Sequence, residues 1–176
     1  MSNGLMSKIL DMVSKFHDFW KPPVKQEESK GSNFDSEISA LIDDLVQVSI
    51  YRKISMDRVK VIELENNVLI IKLIEQIKKY IFELKQNYGI IAMERIESVD
   101  IRNGKVDFNI QFNEFIDEFI EIMKYKKNNW KQAENQERSS SEGMIQLIKQ
   151  IKDSIQYVKY TYGMIKLDNI TENTDG

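Results

Sequence analysis

The sequence predicts a mainly α protein: one long, coiled-coil-like helix, followed by a small helical unit with one β-hairpin. Three observations predict it. Only two prolines occur in 176 residues, side by side at Pro22 and Pro23, so the chain beyond them is free to form long helices. A heptad-like apolar series runs from Ile38 to Leu73. Apolar and polar residues alternate on both sides of Asn103-Gly104.

The first element is a short amphipathic helix over residues 5–20. Leu5, Met6, Ile9, Met12, Val13, Phe16, Phe19 and Trp20 recur at three- and four-residue steps. Pro22 and Pro23 stop it, and the polar residues 21–33 read as a linker. On this helix Phe16, Phe19 and Trp20 form an aromatic face suited to a groove on its own domain or on a partner. The same face also suits a membrane interface, although the helix carries no basic excess.

The long helix is predicted over residues 34–88. Its seam is Ile38, Leu41, Leu45, Val48, Arg52, Ser55, Val59, Ile62, Asn66, Leu69 and Leu73, drifting on to Ile77, Ile81 and Leu84. So narrow a stripe is a seam for another helix, and the polar residues on it set register and oligomer state. Gly89 closes the helix in the left-handed conformation. At 1.5 Å per residue this is a rod of roughly 80 Å, which needs a partner to cover its stripe. A homodimer or a hetero-assembly is therefore expected, held through Ile38, Leu41, Leu45, Val48, Val59, Ile62, Asn66, Leu69 and Leu73.

Residues 89–167 then form the small α+β unit. Its hairpin, residues 96–112, turns at Asn103-Gly104 and puts Ile101 opposite Val106 and Val99 opposite Phe108. Helices are predicted over 113–130, from Phe115, Ile116, Phe119, Ile120 and Met123, and over 141–162, from Met144, Ile145, Ile148, Ile151, Ile155 and Val158. Between them residues 126–142 read as a loop or frayed helix end. Residues 168–176 read as a loose tail. No internal repeat of fixed period is read in the chain.

The composition narrows the function classes. Net charge is −3, from 25 basic and 28 acidic residues, which gives no basic footprint for nucleic acid. Cysteine is absent, so thiolate catalysis and cysteine-ligated metal are excluded. The one histidine, His17, stands on the polar flank of a short terminal helix, whereas metal sites normally gather several ligands. The seven glycines form no phosphate-binding loop. The basic run Lys124-Tyr125-Lys126-Lys127 suits a helix C-terminus, whose dipole favours cations. No catalytic, cofactor or metal site is read, so the chain is expected to be a non-enzymatic interaction protein. No secretory signal or transmembrane run is read either, and a cytoplasmic location is expected.

Two segments resemble the GrpE family of nucleotide-exchange factors. Tyr51-Arg52-Lys53 is similar to the basic motif on that family's long paired helix, with Leu69 to Ile81 following as a helical block. Glu142-Gly143-Met144, leading through Lys149-Gln150-Ile151 to Ile155, resembles a later block, although Gly163 falls beyond the family's next glycine. The resemblance covers about half the chain. It implies a co-chaperone dimer that pairs in parallel along Ile38 to Leu73, binds the open form of a DnaK-type ATPase and promotes ADP release. It makes Arg52 and Lys53 surface contacts. The alternative expectations are a structural or adaptor subunit of a larger assembly, or a membrane-surface protein that uses the amphipathic helix over residues 5–20.

Overall fold

The computed structural model describes residues 32–91 and 106–166, which fold into six helices. These are α1 (Ser32–Ile54), α2 (Met56–Glu65), α3 (Asn67–Tyr88), α4 (Phe108–Asn128), α5 (Trp130–Ser139) and α6 (Ser141–Thr161). The predicted helix over 5–20, the linker up to residue 31 and the tail lie outside the described residues.

The single rod is replaced by three helices. The chain bends at Ser55 (φ −108°, ψ 42°) and at Asn66 (φ −121°, ψ 25°), where a straight helix needs ψ near −42°. The ladder survives both bends: the Ser55 amide donates to Tyr51 O and the Asn66 amide to Ile62 O, at 2.9 and 2.8 Å. Both bends fall at the polar steps of the seam, where an apolar stripe would otherwise hold the helix straight against a neighbour.

Cross-helix ion pairs give the directions. Lys152 pairs with Glu37 and Lys159 with Asp44, so α1 and α6 advance together. Lys78 pairs with Glu114 and Lys85 with Glu121, so α3 and α4 advance together. Arg52, late on α1, bonds Asn109 at the start of α4, while Lys126, late on α4, bonds Asp35 at the start of α1. Those two helices are therefore antiparallel. The result is a four-helix bundle with α2 across one end and α5 across the other. The seam turns inward: Ile38, Leu41, Leu45, Val48, Val59 and Leu73 are buried in one core with Phe112, Phe115, Phe119, Ile148, Ile151 and Ile155.

The bundle is a duplication, which corrects the reading of an unrepeated chain. Helices of 23, 10 and 22 residues are followed by helices of 21, 10 and 21. A shift of 74 positions, the step from Gly89 to Gly163, brings the halves into register. Leu73-Ile74, Gln76-Ile77-Lys78, Ile81, Lys85 and Tyr88-Gly89 recur as Leu147-Ile148, Gln150-Ile151-Lys152, Ile155, Lys159 and Tyr162-Gly163. Both glycines take positive φ, 79° and 80°, and close their helices with matching bonds, from Ile90 N to Lys85 O and from Met164 N to Lys159 O.

The predicted hairpin is not found. Its first arm lies outside the described residues, and its second arm is the start of α4. The Asp107 carboxylate accepts from the Asn109 and Ile110 amides at 3.0 and 3.3 Å, an N-cap that begins the helix there. Phe108 belongs to the stripe of Phe112, Phe115 and Phe119, so a helical period over a long stretch prevails over a short alternation. Residues 126–142 are likewise not a loop: they hold the end of α4, all of α5 and the start of α6.

Candidate functional site

Two buried polar clusters fix the ends of the bundle. At the α2 end, Arg52 binds the Glu63 carboxylate through Nε at 2.8 Å and Nη2 at 2.6 Å. Its Nη1 bonds Asn109 Oδ1, and its guanidinium lies 5.2 Å from the Phe112 ring centre. The Tyr162 hydroxyl donates to Glu63 at 2.6 Å. At the α5 end, the counterparts repeat the pattern. Lys126 binds Glu137 at 2.7 Å and Asp35 at 2.5 Å, and lies 5.8 Å from the Tyr88 ring centre. The Tyr88 hydroxyl donates to Glu137 at 2.7 Å. In each pair the second residue stands 74 positions after the first: Arg52 and Lys126, Glu63 and Glu137, Asp35 and Asn109.

The electrostatics keep these groups as hydrogen-bond partners. Burial pushes the Tyr88 phenol well above its ordinary range, and the Glu137 charge pushes it further. Burial also raises Tyr162, with Arg52 acting against the shift. Both phenols therefore stay protonated and donate to their carboxylates. A proton held this firmly inside the bundle is suited to bracing helices and poorly suited to transfer. On α4, burial raises Glu118 while Lys85 and Lys78 pull it down.

The predicted interaction residues separate into three groups. Ile38, Leu41, Leu45, Val48, Val59 and Leu73 are core. Ile62 and Asn66 are half-buried, and Leu69 is exposed. Phe16, Phe19 and Trp20 lie outside the described residues. Arg52 is not a surface contact: it is 4% exposed and paired with Glu63. Lys126, from the basic run beside Trp130, is fully buried.

The surface itself is asymmetric. Val59 and Glu63 point α2 inward, which leaves Val61 and Leu64 facing solvent. Among the described residues the large exposed apolar side chains are Ile54, Val61, Leu64, Val68, Leu69, Ile110, Tyr157 and Tyr160. All belong to the α2 end: the end of α1, α2 itself, the starts of α3 and α4, and the last turns of α6. Their counterparts in the other half are Asn128, Asn135, Arg138, Glu142, Gly143, Ser36, Glu83 and Gln86. The fold thus builds the same end twice and solvates only one of them. Apolar side chains at the α2 end are not required by the architecture, because the α5 end does without them.

Other candidate sites are thin. A groove of about 200 Å³ is lined by Phe34, Glu37, Ile145, Ile148 and Lys149, with one carboxylate and one ammonium and no convergent polar set. Among the described residues no group of three or more His, Cys, Asp or Glu side chains is placed to hold a metal ion. No helix among them is long and apolar enough to cross a membrane. Neither hydrophobic periodicity nor motif search pointed to Glu63, Glu137, Tyr88 or Tyr162. Aligning the two halves would have singled them out. Comparison with family models, with curated proteins and with solved structures gives no match.

Proposed function

We propose that this chain is a non-enzymatic interaction protein, an adaptor that docks through the apolar end built on α2. One observation carries the reading: eight exposed apolar residues gather at one end of a duplicated bundle whose other end has a polar residue or glycine at every matching position. Contiguous exposed apolar surface on a small protein marks a contact site. The Arg52–Glu63–Tyr162 cluster holds that end rigid, which lowers the ordering cost of docking.

A photo-crosslinking residue in place of Leu64, with the same residue in place of Arg138 as the matched control, tests the reading in the native host. Discrete crosslinked products are expected from position 64 and not from position 138. Equal labelling at the two ends would remove it.

The GrpE-type exchange role is a second reading, supported by the blocks at Tyr51-Arg52-Lys53, Leu69 to Ile81 and Glu142 to Ile155. Two of those blocks are the two copies of one repeat, and the seam that a parallel rod would use is occupied within the bundle. Stopped-flow release of a fluorescent ADP from the host's DnaK-type chaperone decides it. Release unchanged by stoichiometric protein ends that reading.

A further inference from the structure

From the residues that ring the α2 end, we infer that its occupant is a second copy of this chain, docked with the two α2 helices antiparallel. The inference rests on the proposed docking role of that end and names its partner. The residues on α2 are self-complementary in an antiparallel register. When Val61 of one copy faces Leu64 of the other, Lys60 faces Glu65, and the two-fold axis repeats that ion pair on the other side. Centring the pair on Val61 instead would set Asp57 against Glu65 and Leu64 against Arg58. An isologous contact demands this kind of self-complementarity, since each patch meets its own copy.

The charges around the end also suit a protein surface. Arg58, Lys60 and Lys72 are interspersed with Asp57, Glu65 and Glu75, so no single-sign field is present to draw anionic lipid or nucleic acid. Area sets the strength. The five side chains on and beside α2, exposed by 47% at Leu69 to 82% at Leu64, offer roughly 500 Å² of apolar surface, against about 800 Å² per partner in a standard stable complex. The dimer is therefore weak, forming at micromolar concentrations or above.

Sedimentation velocity on the full chain, from low micromolar to near-millimolar concentration, tests this. Wild type should pass from monomer to dimer. Leu64→Asp should remain monomeric while keeping its helical circular dichroism and melting temperature, since that side chain touches little of its own fold. Lys60→Glu should weaken the dimer about tenfold through two like-charge contacts, and adding Glu65→Lys should restore it. A monomer throughout the range overturns the inference. So does a dimer that ignores Leu64→Asp, or one in which Glu65→Lys fails to rescue Lys60→Glu. In those cases crosslinks from position 64 to a different protein would leave the docking role standing, whereas equal labelling at positions 64 and 138 would remove both.

Discussion

Lys126 has no exposed surface and lies between the carboxylates of Asp35 and Glu137, with the Tyr88 ring beside it. Removing one member of a buried ion pair leaves its partners charged and unsolvated, which costs more than the pair contributes. Lys126→Met is therefore expected to destabilise the protein by about 3–5 kcal/mol in equilibrium urea unfolding, despite matching the lysine stem in volume. Little of this was legible in the sequence. Lys124-Tyr125-Lys126-Lys127 is a surface run by composition, and only the neighbouring helices show that one of its lysines points inward while Lys124 and Lys127 stay exposed. Arg52 is a similar case. It reads as a polar interruption of a seam, and its partner Glu63 is an ordinary acidic residue until a bend brings the two together.

The elements were more legible than their ends. Gly89 and Gly163 are readable as helix stops, and both take the left-handed conformation. A Cβ at either position would meet nothing closer than 3.9 Å at Gly89 and 3.5 Å at Gly163, so the cost of substitution lies in the backbone. Gly89→Ala and Gly163→Ala should each lower stability by about 1–2 kcal/mol, measured by thermal unfolding, with additive effects because the two caps sit at opposite ends of the bundle. The hairpin failed for a physical reason that the residues make plain. Val106, Phe108 and Ile110 alternate with polar neighbours, yet Phe108 is buried on a helical face, Ile110 is exposed, and Asp107 caps the turn between them. Alternation over five residues is weak beside a helical stripe that runs from Phe108 to Met123. Residues 130–139 were missed because α5 buries only Ala133 and Glu137, too few apolar positions to show a period.

At the scale of the whole molecule, the two halves complete each other. Arg52 and Glu63 of the first half need Asn109 and Tyr162 of the second, and Lys126 and Glu137 need Asp35 and Tyr88 of the first. The core is shared in the same way. The bundle should therefore unfold as one unit. In a Trp20→Phe background, urea transitions followed by Trp130 fluorescence and by far-ultraviolet circular dichroism are expected to coincide. Separate midpoints would show two independently stable halves.

By itself the sequence determined that the described residues are mainly helical, which residues form the apolar stripes and where glycine stops two of the helices. Those properties follow from local periodicity and backbone chemistry, which a single chain displays directly. Only the tertiary structure decided what covers the stripe. The seam from Ile38 to Leu73 is equally satisfied by a second copy or by helices later in the same chain, because burial is non-directional and either choice removes the apolar face from water. The bends at Ser55 and Asn66 select the second option, and they turn the predicted rod into half of a duplicated bundle. In doing so they bury the seam and leave Val61 and Leu64 outside, so the surface available for docking is one that the periodicity alone does not mark.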